Sequence, residues 1–131
     1  MMTDPIGDLL TRIRNAQAVK LSAVSAPHST LKMAVLKILK REGFVEDFEK
    51  KGKKVRKHIV IQLKYQKNGA PAIAGIRRIS KPGRRMYKKA HDIHSVRQGT
   101  GMAVISTPKG LMTDKEARKA KAGGEVICEV W

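Results

Sequence analysis

The chain has 131 residues, enough for one compact unit or two small subdomains, and a formal charge of +17 from 28 Lys and Arg against 11 Asp and Glu. Positive side chains in such excess repel one another unless a polyanion offsets their charge, so nucleic acid is the expected partner. The lone cysteine, Cys128, excludes an internal disulfide and fits a reducing cytoplasm. The chain shows no secretory signal and no run of 18 apolar residues, so neither export nor membrane insertion is expected.

The amino-terminal part of the chain begins with a predicted helix. Asp4 can cap free N–H groups, and Pro5 at the first helical position loses no hydrogen bond. Apolar residues then recur at helical spacing to about Val19, which predicts a helix with one buried face. A short strand is expected within residues 21–27, because β-compatible residues precede Pro27.

A second helix is predicted after a cap at Ser29 or Thr30, and it should end at Gly43. Positions of helical spacing predict its buried face, formed by Leu31, Ala34, Val35, Ile38 and Leu39.

Two strands, at residues 44–49 and 55–65, are predicted to meet across a turn in which Gly52 adopts positive φ. The buried face of the second strand should consist of Val55, Ile59, Ile61, Leu63 and Tyr65. The lysines of the turn, at positions 50, 51, 53 and 54, suit either phosphate contact or solubility, and the residues leave both open.

A break at Asn68-Gly69-Ala70-Pro71 marks a predicted boundary between subdomains 1–67 and 71–131. The first would be an α/β unit with the order helix-strand-helix-strand-strand. The second would be a mostly-sheet α+β unit that binds RNA. The predicted fold class of the whole chain is therefore α+β.

The second unit starts with an expected strand at 72–80 and a strongly basic segment, residues 77–89, with seven cations and no acid. This segment favours a phosphate partner, with Arg84, Arg85 and Lys88 as candidates. Tyr87 either packs on a base or sugar or lies across the edge of the core. His91 and His94 lack further ligands nearby, so no metal or cofactor is expected.

A polar loop, Ser106-Thr107-Pro108-Lys109-Gly110, follows an apolar strand at 102–105 and precedes a helix. Its hydroxyls, its cation and a glycine that permits close approach predict a contact loop for folded RNA. Thr113 and Glu116 have the spacing of a capping box, which predicts a helix to about Lys121, and a closing strand is expected at 126–131.

Four blocks of the chain resemble, in the same order, those of the small-subunit ribosomal protein eight family. They are Thr3-Asp4-Pro5-Ile6-Gly7-Asp8-Leu9-Leu10-Thr11-Arg12-Ile13-Arg14-Asn15-Ala16, Ser80-Lys81-Pro82-Gly83-Arg84-Arg85-x-Tyr87, Gly101-x-x-Val104-Ile105-Ser106-Thr107-x-x-Gly110-Leu111-Met112-x-x-x-x-Ala117 and Gly123-Gly124-Glu125-Val126-Ile127-Cys128.

The resemblance implies a cytoplasmic, ribosomal protein that binds the central domain of small-subunit ribosomal RNA and aids its assembly. It implies RNA contacts by seven residues of the second unit, which are Ser106, Thr107, Lys109, Gly110, Tyr87, Gly124 and Glu125. At the start of the second helix it implies contacts by Ser29, Thr30 and Lys32. It further implies neighbouring small-subunit proteins five and twelve as partners, and in some bacteria repression of the protein's own message.

Two other functions compete with this interpretation. An enzyme is not expected, because Ser106 lacks a Gly-x-Ser-x-Gly turn, no Gly-x-x-x-x-Gly-Lys-Ser/Thr loop occurs, and no small-molecule site is indicated. A general basic DNA-binding or architectural protein is compatible with the composition, but no helix-turn-helix or zinc motif supports it.

Overall fold

The computed structural model describes residues 4–131, so residues 1–3, including Thr3 of the amino-terminal motif, lie outside the described part. Two compact units are present, one of Pro5–Ala74 and one of Gly75–Trp131 together with Asp4. The predicted α+β class, with helices and sheet in the first unit and mostly sheet in the second, is confirmed. We retain 1–67 and 71–131 as proposed subdomains. Within residues 4–131, every helix is too short or too polar to cross a bilayer.

The unit Pro5–Ala74 is a three-stranded antiparallel sheet with two helices packed beside it. Its elements are α1 (Pro5–Ala18), β1 (Ala23–Pro27), α2 (Thr30–Arg41), β2 (Val45–Lys51) and β3 (His58–Leu63), with the strand order β1-β3-β2. The core consists of fully buried side chains from both helices and the sheet, among them Leu9, Ile13, Val35, Leu36, Ile59 and Ile61. The predicted element order of this unit is correct.

Two details of the prediction for this unit are wrong. Leu31 is 46% exposed, whereas Leu36 is completely buried, so the apolar face of α2 is rotated from the predicted one. Val55 is 96% exposed because it lies in a 3-10 turn, Lys54–Arg56. The pairing of Lys51 with His58 requires the intervening residues to reverse the chain, and β3 therefore starts at His58.

The second unit is built around a central strand, β8, which pairs with strands along both of its edges. Its elements are β4 (Ile76–Arg78), β5 (Tyr87–Lys88), β6 (Met102–Thr107), β7 (Gly110–Thr113), α3 (Asp114–Ala120) and β8 (Gly124–Val130). The strand order is β4-β8-β6-β7, and β5 pairs with β8 as well. One core cluster joins α3 to the sheet through Ala103, Ile105, Ala117 and Val126.

The predicted polar loop at 106–110 proves to be the end of a β-hairpin, with Ser106 and Thr107 in β6 and Gly110 in β7. Strand β7 was missed, because a four-residue strand has little periodicity of its own. The strand expected at 72–80 is limited to Ile76–Arg78, and the closing strand begins earlier than predicted, at Gly124.

The helix that follows the hairpin has the predicted capping box. The Thr113 hydroxyl accepts a hydrogen bond from the Glu116 N–H at 3.1 Å, and the Glu116 carboxylate accepts one from the Thr113 N–H at 3.0 Å. Asp114 is buried and ties α3 to the sheet, since its carboxylate accepts a hydrogen bond from the Ala103 N–H at 2.9 Å. Cys128 is a buried strand residue, as expected, and burial raises the pKa of its thiol to about 12.

Candidate nucleic-acid interface

The hairpin between β6 and β7 turns in two residues, Pro108 and Lys109. The Thr107 hydroxyl donates a hydrogen bond to the Gly110 carbonyl at 2.8 Å and accepts one from the Lys109 N–H at 3.1 Å. Thr107 is only 8% exposed. Its hydroxyl therefore organises the tip, and its one donor hydrogen is used within the chain, while the predicted RNA contact of Thr107 stays a prediction.

The exposed part of this tip is Pro108, Lys109 and Gly110. Lys109 has no acidic partner among residues 4–131, so its charge is offset only by solvent. Gly110 has φ +111° with open space where a Cβ would stand, so backbone conformation, not crowding, favours glycine there. A rigid tip thus presents one free cation.

Ser106 lies in a row of residues that crosses three strands. It pairs with Glu125 of β8, and Glu125 pairs with Tyr87 of β5. Directly opposite residues of antiparallel strands place their side chains on the same face, so these three side chains share one face. Ser106 is half-buried and Tyr87 is 69% exposed. The structure therefore places the predicted hydroxyl and the predicted aromatic ring on one face of the sheet, with Glu125 between them.

Gly124 is required by the close approach of β8 to β6. A Cβ built on Gly124 would overlap the Ser106 carbonyl and approach Thr107 Cα to 3.1 Å. Any side chain at this position would push the two strands apart. Gly124 thus supports the position of the hairpin end, whatever else it contacts.

Glu125 holds the basic segment against β8. Its carboxylate accepts hydrogen bonds from the Ser80 hydroxyl and, at 3.1 Å, from Arg85. Ser80 is completely buried, and its oxygen accepts a further bond from the Met86 N–H at 3.1 Å. Sequence reasoning missed Ser80, since no local signal links it to a residue 45 positions away. The charge of Glu125 is already compensated within the protein.

The remaining predicted cations of this unit are exposed beside Tyr87. Arg84, Arg85 and Lys88 all have exposed side chains, and Lys88 pairs with Gly124 through the backbone. A shallow groove of about 500 Å³ adjoins them, lined by Tyr87, Lys88, Lys89, Ala90, Lys121, Gly123 and Gly124. Lys121 was not predicted; it ends α3 in the left-handed conformation with φ +54°.

The start of α2 forms a separate patch in the other unit. The Ser29 hydroxyl caps the helix by accepting a hydrogen bond from the Lys32 N–H at 3.1 Å, and Thr30 is exposed. Lys32, predicted to face RNA, is only 4% exposed, and its ammonium donates to the Pro27 carbonyl at 3.0 Å. The Lys32 ammonium is therefore partly engaged within the unit, and its predicted RNA contact stays a prediction.

Residues 4–131 contain no group of three or more His, Cys, Asp or Glu side chains placed to hold a metal ion. The assembled interface instead combines hydroxyls, one aromatic ring and several unpaired cations. Such a set is suited to hydrogen bonding, stacking and charge neutralisation on a nucleic acid.

Comparison with known proteins identifies a family. A family model described as Ribosomal protein S8 matches residues 4–131. A small ribosomal subunit protein uS8 from Persephonella marina is 51% identical over 136 residues, covering 100% of both chains. Proteins of the same name from Rubrobacter xylanophilus and Chloroflexus aggregans are 49% and 51% identical over 130 and 131 residues, covering 99% of this chain and 98% of theirs.

Proposed function

We propose that this chain, which belongs to the ribosomal protein S8 family, binds the central domain of small-subunit ribosomal RNA and aids its assembly. As a family member it is a structural constituent of the small ribosomal subunit and not an enzyme. The family predicted from the sequence is thereby confirmed, and with it the ribosomal, cytoplasmic place of action. RNA binding by particular residues is our proposal.

The observation that supports RNA binding is the arrangement around Ser106. The internally bonded tip presents Lys109, and the adjacent row presents Ser106 and Tyr87 on either side of Glu125. The wide minor groove of an RNA helix displays 2′-hydroxyls and base edges, which a serine hydroxyl addresses as donor and acceptor. A tip that is ordered before binding avoids much of the entropy loss of ordering on contact.

The cations of the basic segment have a different task. Arg84, Arg85 and Lys88 are exposed and would neutralise phosphates, releasing counterions from the RNA, with Arg85 sharing its charge between a phosphate and Glu125. Glu125 acts in the proposal as a positioning residue, because its bonds to Ser80 and Arg85 fix the segment along β8. This division assigns shape recognition to the hairpin and salt-dependent affinity to the segment.

Three finer parts of the proposal come from the family. They are contacts with small-subunit proteins five and twelve, repression of the protein's own message, and a supporting RNA contact at Ser29, Thr30 and Lys32. The Lys32 ammonium already donates one hydrogen bond to the Pro27 carbonyl, so it would bring its remaining donors to that contact.

The hairpin is tested by Ser106→Ala, with Ser95→Ala, an exposed serine of the same unit, as the matched control. We expect Ser106→Ala to weaken binding to a central-domain transcript by about 1–3 kcal/mol, with the salt dependence unchanged, because the variant removes a directed hydrogen bond and leaves every phosphate neutralised. Filter binding over a salt series measures both the affinity and its dependence on salt. Wild-type affinity in Ser106→Ala would remove the hairpin from the interface.

The basic segment is tested by replacing Arg84, Arg85 and Lys88 together with Gln. The plot of log affinity against log salt should become less steep, by about 0.7–0.9 for each phosphate that the variant no longer neutralises. Competition by duplex DNA of matched length separates the proposal from a general DNA-binding protein. Equal affinity for DNA and for the ribosomal transcript would favour that alternative.

A further inference from the structure

A second depression of the unit Gly75–Trp131 is lined mostly by cations. It encloses about 280 Å³, and its walls are Arg77, Arg78, Ile79, Lys81, Arg84 and Met86. The depression shares no residue with the groove beside Tyr87 and Lys88. Arg84 is one of the cations proposed above to neutralise phosphates, whereas Arg77 and Lys81, which lie in the same basic segment, have no task yet. The depression joins these three cations in one place.

Arg78 forms the fixed wall of this depression. Its guanidinium donates to the Asp4 carboxylate through Nε at 3.2 Å and Nη2 at 3.1 Å, and through Nη1 to the Ile127 carbonyl at 2.6 Å. The side chain is 13% exposed. Since Asp4 compensates its charge, Arg78 gives the depression shape rather than attraction.

The other three cations retain their charge. Arg77, Lys81 and Arg84 line the depression, and none of them has an ion pair with an acid in residues 4–131. The backbone of Arg77 pairs with that of Glu129 across β4 and β8, but their side chains form no ion pair. Three uncompensated cations around one concave surface attract an anion more strongly than the same charges spread over a convex one.

Two of these cations come from one closed turn. The Lys81 N–H donates to the Arg84 carbonyl at 3.0 Å, and the Arg84 N–H donates to the Lys81 carbonyl at 2.9 Å. The buried Ser80 anchors the near side of the turn through its bonds to Glu125 and Met86. The backbone beneath the cations is thus set before any ligand arrives.

We infer that this depression binds a phosphate group of the RNA backbone, with Arg77, Lys81 and Arg84 as its ligands. The walls contain no aromatic ring on which a base could stack, and guanidinium and ammonium donors match phosphate oxygens. An open site of accessible cations suits one phosphate of a long chain held by other contacts. The inference rests on the proposed RNA binding and adds Arg77 and Lys81 to it.

The test is the double replacement Arg77→Gln with Lys81→Gln, compared with Lys115→Gln with Lys119→Gln. The control removes the same charge from exposed lysines of α3. We expect the first variant to bind the central-domain transcript about three- to tenfold more weakly at low salt, with a salt slope reduced by about 0.7–0.9. The control should lose clearly less affinity than the first variant, because Lys115 and Lys119 lie outside the depression and contribute only long-range attraction. Thermal unfolding checks that both variants are folded.

Three outcomes overturn parts of this scheme separately. If the wild-type protein does not prefer the ribosomal transcript to duplex DNA, the proposed function fails. If the wild type has that preference but the two double variants bind equally, the phosphate site alone fails. If inorganic phosphate raises the melting temperature of the wild type at constant ionic strength but not that of Arg77→Gln with Lys81→Gln, while RNA binding is unchanged, the site takes free phosphate and the RNA assignment is wrong.

Discussion

The hairpin between β2 and β3 and the hairpin between β6 and β7 both end in polar, cationic tips, but they hold these tips differently. The first needs residues 52–57 to reverse the chain, and the side chains of Lys53 and Lys54 make no hydrogen bond within the described chain. The second turns in two residues and is locked by the Thr107 hydroxyl.

The difference separates two ways of meeting a polyanion. Attraction between exposed lysines and phosphates needs only proximity, and salt screens it. A hydrogen bond to a base edge or a 2′-hydroxyl requires the donor at one distance and angle. We therefore expect the first tip to contribute to general affinity and the second to specificity.

The largest effect is expected where the second hairpin meets β8. Gly124→Val should lower the free energy of unfolding by about 3 kcal/mol or more, because the new side chain overlaps the Ser106 backbone. Gly99→Ala is the matched control, since a Cβ there meets nothing within 4 Å, although its φ of +92° leaves a backbone penalty of about 1 kcal/mol. Chemical denaturation measures the free energy of unfolding of both variants. If Gly124→Val were as stable as Gly99→Ala, β6 and β8 would tolerate separation.

A smaller effect is expected from the lock of the tip. Thr107→Val keeps the shape but removes two hydrogen bonds, and we expect stability to fall by about 1–2 kcal/mol. RNA affinity should fall as well, with an unchanged salt slope, because Lys109 and Ser106 are no longer held in fixed positions. Thr107→Ser, which retains the hydroxyl, should restore most of the affinity. If Thr107→Val and Thr107→Ser bind RNA with equal affinity, preorganisation of this tip does not contribute to RNA binding.

The smallest effect on folding is expected at the first tip. Replacing Lys53, Lys54 and Arg56 with Gln should change stability by less than about 0.5 kcal/mol, because all three are exposed. Affinity for ribosomal RNA and for duplex DNA should fall by similar factors, so the ratio between them stays constant. Parallel titrations with both polymers give that ratio, and a selective decrease for ribosomal RNA would assign specificity to this tip too.

Local signals account for the parts of the prediction that are correct. Pro5 at the start of α1, Ser29 as the cap of α2 and the Thr113–Glu116 box each act over one helical turn. Residues that lie within one turn of each other in the chain have little freedom to form other contacts. The α+β class followed from the same signals, and the family from the order of the four motifs.

The details that the sequence did not indicate are contacts that form only when the chain folds. The RNA contact predicted for Thr107 stays a prediction, but pairing between β6 and β7 also lets its hydroxyl bond the Gly110 carbonyl. The RNA contact predicted for Lys32 stays a prediction as well, but the end of β1 places the Pro27 carbonyl within reach of its ammonium. Neither arrangement has a periodicity or a spacing by which a linear pattern would indicate it.

The sequence by itself determined the charge, the helices, most strands and the family of this protein, because these follow from composition and from interactions between residues a few positions apart. Only the tertiary structure decided which polar groups are free. Ser80, Glu125 and Arg85 join into one cluster across β8, while Arg77, Lys81 and Arg84 stay unpaired around a concavity. The reason is that a polar group is satisfied by whatever the packed chain brings within about 3 Å, and strand pairing sets those distances.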